Sequence, residues 1–209
     1  MDSEPHKRLL DQGILAREAG FDETEVTVPD PFPPLAAEHP WDHIVAALLF
    51  TFAAIFYLIH TGPHSFWLDS AEFVTTGHGV GVAHPPGTPL YVILSAFFAR
   101  LPIGAATFRL HLMNVLLGAA TVSVVFRIGL LVLRRAGLSG WPSLIAAASV
   151  ATAAIINPGL WFHAVRAEVY VLNVLLCLAV VWCTLLWEEH PANSRYLLLI
   201  ALFGGLGLA

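Results

Sequence analysis

The chain is almost continuously apolar from His43 to Trp187, and this stretch contains only three carboxylates, Asp69, Glu72 and Glu168. A carboxylate at the centre of a membrane helix costs about 2.5–3.5 kcal/mol on insertion scales. Charged residues make up 12% of the chain, roughly half of the share in soluble domains. The sequence therefore predicts an all-α integral membrane protein whose few acids serve chemistry or pairing.

The N-terminal part of the chain has a different composition. Residues 1–42 hold ten of the fifteen acids and three of the ten basic side chains, and a proline-rich stretch at Pro29–Pro34 interrupts any helix. We predict a disordered acidic cytoplasmic tail over 1–41, with a regulatory module as the alternative, and a transmembrane module over 42–209. The first apolar run follows some 40 polar residues and is expected to remain as a signal-anchor helix. No block of like charge indicates nucleic-acid binding.

Crossing a bilayer takes about 20 helical residues, and four apolar segments approach this length. They are Asp42–His60, Leu110–Leu133, Trp141–Ile156 and Val169–Trp187. A fifth segment begins at Arg195 or Tyr196 and continues to Ala209, the end of the chain. The apolar run Leu90–Leu101 is shorter, and its twelve residues span only about 18 Å as a helix.

The orientation of the chain depends on whether Leu90–Leu101 crosses the membrane. If it crosses, Arg166 and Glu168 lie on the side opposite to Asp69. If it lies along the surface, Arg134 and Arg135 fall in a cytoplasmic loop, as the positive-inside tendency prefers. All three carboxylates then share the outer face. We favour the second arrangement, with a cytoplasmic N-terminus and a long outer loop that contains surface-lying helices.

Asp69 and Glu72 are the first candidate site residues. A short helix is predicted over Ser70–Gly77, on which side chains three residues apart face the same way. These acids could simply cap that helix and favour its dipole. Because they follow a transmembrane helix, we predict instead that Asp69 is catalytic, with Glu72 beside it. A partly desolvated carboxylate at this place can accept a proton from an attacking hydroxyl.

The run formed by His84, Pro85, Pro86 and Gly87 is the second candidate. Its prolines stiffen the backbone and its glycine lets a ligand approach closely, while His84 offers a hydrogen-bond donor to a phosphate. The alternative is a rigid turn that leads into the surface helix. The loop histidines show no cysteine partner and no H-E-x-x-H pattern, so no zinc site is predicted.

Arginines near the same face supply candidate partners for an anionic group. Arg109 opens the second membrane helix, and Arg166, Glu168 and Tyr170 precede or open the fourth. A self-compensating pair of Arg166 with Glu168 is one interpretation. The other makes Arg109 or Arg166 a ligand of a phosphate leaving group.

Four motifs taken together resemble one family. They are D-S-A-E-F, G-V-A-H-P-P-G-T-P-L-Y, R-L-H-L-M-N and A-V-R-A-E-V-Y-V-L-N. The chain, over about residues 42–209, resembles bacterial GT-C-like membrane proteins whose family also includes an animal transmembrane O-mannosyltransferase. The resemblance implies a first outer loop that carries an essential acid, here Asp69, and a donor site lined by His84–Gly87, Arg166 and Glu168. It also implies a polyprenyl-phosphate-linked sugar as donor and transfer with inversion.

The chain departs from the family pattern in two respects. His111 stands where the family more often has asparagine, and family members continue through further helices beyond Ala209. The predicted function is a mannosyltransferase-like membrane glycosyltransferase that acts on a protein or glycan acceptor among membrane lipids. The alternatives are a non-enzymatic transporter subunit or assembly partner, and an inactive fragment of the enzyme. No cofactor is predicted with certainty, and a divalent metal is left open.

Overall fold

The computed structural model describes residues 39–62, 69–79, 81–84 and 88–208. Within these ranges the chain is helical and contains no strand, which confirms the predicted all-α fold. Residues 1–38 of the predicted tail, and Pro85, Pro86 and Gly87, lie outside the described residues, whereas the last two residues of that predicted tail already belong to the first helix. The helices are α1 (Pro40–Ile59), α2 (Ser70–Gly79), α3 (Pro89–Ala99), α4 (Ala106–Arg135), α5 (Trp141–Ile155), α6 (Pro158–Ala164), α7 (Tyr170–Glu189) and α8 (Arg195–Gly207).

Helix α4 is the centre of the bundle and packs on α1, α5 and α7. It runs antiparallel to α1, because Arg134 near its end forms a buried two-bond ion pair with Asp42 near the start of α1 (2.8 and 2.9 Å). Further along the interface, the Ser123 hydroxyl donates to the Ala46 carbonyl oxygen over 3.0 Å. At the other end of α1, Tyr57 packs closely against Gly118 of α4.

These contacts define two ends of the bundle, which we call the arginine end and the acidic end. The arginine end holds Arg134 and Arg135, and Arg135 binds Glu188 and Glu189 at the end of α7. The acidic end holds the end of α1, the start of α4 and the start of α7. Helices α2 and α3 also lie at the acidic end, because Ser70 of α2 bonds to Glu168 just before α7 and Tyr91 of α3 bonds to Asn114 near the start of α4.

Helices α1, α4 and α7 are each long and apolar enough to cross a membrane, and their positions match three predicted segments. The chain is thus an all-α membrane protein. The predicted span Trp141–Ile156 coincides with α5, which has 15 residues and is followed after Asn157 by α6, bent from it by 61°. The Asn157 side chain accepts from the amides of Gly159 and Leu160, and Pro158 occupies the first helical turn of α6, so both residues favour a new helix start.

Two further expectations change in detail. Part of the predicted loop F-H-A-V-R-A-E-V-Y is helical, since α6 continues to Ala164. The fifth predicted segment forms α8, which has 13 residues and is shorter than the 20 or so needed to cross a bilayer. Helix α8 packs on α7, and its last residues lie beside Asn173 and Leu176 near the acidic end.

Candidate functional site at the acidic end of the bundle

The first turn of α2 brings Asp69, Glu72 and His84 together. The Phe73 amide donates to the Asp69 carbonyl oxygen over 2.9 Å and starts the helix. Glu72 then accepts from the His84 backbone amide through Oε1 (2.6 Å), and its Oε2 atom lies 2.8 Å from Nδ1 of the His84 ring. The other ring nitrogen, Nε2, lies 3.9 Å from Oδ2 of Asp69. His84 therefore bridges the two acids that the sequence placed on one helical face.

The pair of Glu72 and His84 favours its charged form. The hydrogen bonds from His84 hold the pKa of Glu72 below its usual range. Conversely, the hydrogen bond to Glu72, followed by that residue's negative charge, raises the pKa of His84. The charged pair therefore persists from below the usual glutamate range to above the usual histidine range, and connects α2 to residues 81–84 over that interval.

Asp69, Glu72 and His84 also converge as possible ligands, since one donor atom from each lies within 4.8 Å of the others. Carboxylate oxygens and imidazole nitrogens together are ligands of divalent cations such as Mn²⁺ and Zn²⁺. The sequence patterns did not reveal this combination, because it joins a helical i, i+3 pair to a histidine twelve residues farther along.

Glu168 lies behind this cluster. Its Oε1 atom accepts a hydrogen bond from the Ser70 hydroxyl over 3.4 Å, and the residue is 1% exposed. Burial, and next the negative charge of Asp69, raise the pKa of Glu168, while the Ser70 hydrogen bond and Arg166 act in the opposite direction. Glu168 therefore lies close to Asp69 and Glu72 in the fold, while the position of α3 relative to the membrane stays a prediction.

A cleft of about 310 Å³ opens beside Asp69 and His84. One part of its lining carries polar groups, and the rest is apolar, with side chains of α7 and α8 joined by Phe73, Leu90 and Val169. The polar lining comprises Asp69, His84, Thr88, Tyr91, Tyr170 and Asn173. The apolar side includes Leu172, Leu176, Leu206 and Leu208. Such a cleft fits a ligand with a polar head and a hydrocarbon chain.

The other predicted site residues occupy different surroundings. Tyr170 lines the cleft, and its ring centroid lies 4.7 Å from that of His163. The Arg166 guanidinium stacks 3.7 Å from the Phe162 ring centroid. Arg109 lies in the first turn of α4 and donates to the carbonyl oxygens of Ile103, Gly104 and Ala99, which precede this helix. The structure thus gives Arg109 a role in closing the α3–α4 turn, and its role as a phosphate ligand stays a prediction.

Several residues of the site have no assigned role from the sequence. Asn114 is fully buried in α4, where it accepts from the Tyr91 hydroxyl over 2.8 Å and donates to the carbonyl oxygens of Glu168 (2.7 Å) and His163 (3.2 Å). Asn173 contributes an amide to the cleft. The sequence does contain a signal for these two asparagines. A side-chain amide is costly inside an apolar helix, so its presence there indicates a hydrogen-bond partner or a function.

The fold and the site define a class: an all-α membrane protein with a cleft lined by an acid and a histidine at one end of its helix bundle. Comparison with known families gives the family itself. The sequence profile of the protein O-mannosyl-transferase TMEM260 N-terminal domain matches residues 69–209, so the chain belongs to this family. The match begins at Asp69 and covers the site, and it confirms the resemblance to a family with an animal O-mannosyltransferase.

Two curated relatives are similar over most of this chain. Protein O-mannosyl-transferase TMEM260 of Mus musculus is 33% identical over 168 residues, which are 78% of this chain and 22% of the mouse protein. The relative of the same name from Dictyostelium discoideum is 26% identical over 159 residues, 71% of this chain and 18% of that protein. The chain therefore spans about a fifth of the length of these relatives. No solved structure matches it.

Proposed function

We propose that this chain is the catalytic N-terminal module of a membrane glycosyltransferase of the GT-C type, which transfers mannose from a polyprenyl-phosphate donor to an acceptor hydroxyl. The observation that carries the proposal is the cleft, in which Asp69 and His84 adjoin a wall of apolar side chains from α7 and α8. A lipid-linked sugar matches the two parts of this cleft, because it has a charged phosphate and a sugar at one end and a hydrocarbon chain at the other.

In the proposed reaction, Asp69 accepts the proton of the acceptor hydroxyl. The hydroxyl oxygen then forms a bond to the anomeric carbon of the sugar. The bond from that carbon to the phosphate oxygen breaks on the opposite side, and its electron pair leaves with the lipid phosphate. His84 and Arg166 would stabilise the departing charge, and the configuration at the anomeric carbon would be inverted.

The orientation proposed for the chain puts the acidic end at the outer face. Arg134 and Arg135 at the arginine end support this, because basic residues in short loops prefer the cytoplasmic side. Arg127 adds a third basic residue on the side of the arginine end, since its guanidinium lies 3.1 Å from the His43 ring at the start of α1. Donor, acceptor and Asp69 would then meet at the outer face.

A divalent cation is a second proposed element of the site. Asp69, Glu72 and His84 would hold it, and it would neutralise the developing charge on the phosphate. Removal of divalent cations with EDTA, followed by addition of Mn²⁺, separates this role of Asp69 from that of a base. If transfer persists in EDTA, a role of Asp69 as a metal ligand is excluded and its role as the general base is retained.

The test is a transfer assay in membranes that contain the protein with its complete reading frame. The donor is radiolabelled polyprenyl-phosphate mannose, and the acceptor is a set of serine- and threonine-containing peptides. We expect Asp69→Asn to abolish transfer while the protein still inserts into the membrane. Glu188→Gln is the matched control, because Glu188 lies at the arginine end and binds Arg135. Transfer by Asp69→Asn at the rate of the control would contradict the proposal.

A further inference from the structure

Two segments of the site are far apart in sequence and must be held together by the fold. One is α2 with Asp69 and Glu72 at its start, and the other is the connection from α6 to α7 with Glu168. The direct link between them is the hydrogen bond from Ser70 to Glu168, which is long at 3.4 Å. A single long hydrogen bond does little to fix a distance, so other contacts must position these segments.

Asn114 makes contacts of the required kind. It is 0% exposed, and its amide nitrogen donates to the carbonyl oxygens of His163 and Glu168. Its Oδ1 atom accepts from the Tyr91 hydroxyl of α3. Three of the four hydrogen bonds that an asparagine side chain can make are thus formed, and each goes to a group on another element of the fold.

Tyr91 continues this connection to α2. It is 1% exposed, and its ring meets the Phe73 ring edge-on with centroids 4.8 Å apart. Phe73 lies one residue after Glu72, and its amide donates to the Asp69 carbonyl oxygen. A continuous chain of contacts therefore leads from the backbone of Glu168 through Asn114, Tyr91 and Phe73 to the backbone of Asp69.

We propose that Asn114 is a positioning residue that, together with Tyr91, sets the separation between the Glu168 carboxyl group and Asp69. Neither side chain needs to react with substrate for this role. The structural part of the inference stands on the contacts of Asn114 and Tyr91, and only its consequence for turnover rests on the proposed function. Buried polar networks of this kind fix one arrangement of the elements that they join.

The proposed role of Asn114 can be tested without an activity assay. The measured quantity is the protonation of Glu168 in the complete protein in nanodiscs, with EDTA present. Infrared difference spectra over a pH series report the protonated carboxyl group, and the band is assigned by its loss in Glu168→Gln. Burial and Asp69 both keep the Glu168 carboxyl protonated, and Arg166 opposes them. A Glu168 side chain that moves away from Asp69 or towards water must therefore titrate at lower pH.

Tyr91→Phe and Asn114→Leu are the informative variants. Asn114→Leu should lower the midpoint of the Glu168 band by about one pH unit, a tenfold change in the protonation equilibrium, and Tyr91→Phe should lower it by less. Tyr57→Phe is the matched control for Tyr91→Phe, because Tyr57 is also a fully buried tyrosine but its hydroxyl makes no hydrogen bond among the described residues. Thr121→Val is the control for Asn114→Leu, since among the described residues the Thr121 hydroxyl bonds only to the Leu117 carbonyl oxygen of its own helix. An unchanged midpoint in Tyr91→Phe and Asn114→Leu would overturn the proposal.

The activity arm uses the mannose transfer assay on the same variants. Displacement of reacting groups by about 1 Å can reduce turnover by about 10²-fold, so Asn114→Leu should reduce kcat strongly and change KM much less. If Asn114→Leu does not fold, Tyr91→Phe decides the question by the same measurements. Absence of transfer in the wild-type protein would contradict the proposed function, whereas the infrared result would still decide the role of Asn114.

Discussion

The Ser70 hydroxyl donates a hydrogen bond to the Glu168 carboxyl group, although the two residues are 98 positions apart in the sequence. Ser70 directly follows Asp69, so this contact brings the third carboxylate of the apolar region to the first two. It is possible because α1 and α4 are antiparallel and α3 does not cross the bundle. Membrane helices of this length would otherwise separate Glu168 from Asp69 by about 30 Å.

The buried position of Glu168 leads to a prediction about stability and pH. In the unfolded chain this carboxyl group has an ordinary pKa, and in the folded protein its pKa is raised. As pH rises from the ordinary to the raised value, the unfolded chain has already lost the proton that the native state retains. The free energy of unfolding must therefore fall across this interval, and Glu168→Gln should remove that fall.

Thermal unfolding in detergent between about pH 4 and pH 8 checks this expectation. Glu188→Gln is the matched control, because it is the same substitution made at the arginine end, where Glu188 binds Arg135 and not Ser70. An identical pH dependence in wild type and Glu168→Gln would show that Glu168 is not held in its protonated form.

The contact between Glu72 and His84 leads to a second prediction. Glu72→Gln removes the negative charge and the strongest acceptor of the His84 ring, so the pKa of His84 should fall back towards its ordinary value. In the wild type, the charged pair stabilises the connection to α2 above the lowered pKa of Glu72, and this contribution is lost as pH rises through the raised pKa of His84.

Nuclear magnetic resonance of the protein with labelled histidine measures this directly, with the His84 signal assigned by its loss in His84→Gln. His190 lies at the arginine end, directly after α7, so its ring signal serves as the internal reference and should have the same chemical shift in both proteins. A His84 titration that does not respond to Glu72→Gln would mean that the two side chains are not paired in solution.

The packing of α2 on α3 leads to a third prediction. A Cβ atom at Gly77 would lie 2.7 Å from the Cβ atom of Ser95, which is closer than packed carbon atoms approach. Gly77→Ala should therefore push α2 away from α3 and destabilise the protein by about 1–3 kcal/mol. It should also reduce the mannose transfer that we propose, because α2 begins at the site.

Gly79→Ala is the matched control on the same helix, since a Cβ atom there would meet no described atom within 4 Å. Gly79 is the last residue of α2 and gains less helix propensity than Gly77, so a lower unfolding midpoint of Gly77→Ala than of Gly79→Ala is due to the clash. The double variant Gly77→Ala with Ser95→Gly should recover part of the loss. Equal stability of the two single variants would contradict the close approach of α2 and α3.

The membrane helices were predictable because their signal is local. Runs of about 20 apolar residues identify α1, α4 and α7, and the polar residues before Ser70 and Pro89 indicate the starts of α2 and α3. The break at Asn157 and Pro158 also had a local signal, a capping side chain followed by a proline. A hydrophobicity profile alone does not show this break, because the residues on both sides of it are apolar.

The site was predictable only in part, and the reason differs from residue to residue. Asp69, Glu72 and Glu168 stood out because acids are rare in an apolar chain. The i, i+3 spacing placed Asp69 and Glu72 on one face, but no spacing rule connects either acid to His84. Arg109 illustrates the opposite case, because its guanidinium donates to three backbone carbonyl oxygens at the end of α3 and in the connection to α4.

The sequence by itself determined the class of protein, the main helices and the identity of the scarce acids, because hydrophobicity, helix length and charge are properties of neighbouring residues. The tertiary structure decided that the three acids share one end of the bundle, that His84 joins two of them and that Asn114 connects three elements behind them. These contacts join residues up to 98 positions apart. They depend on the antiparallel packing of α1 and α4 and on the return of α3 to the same end.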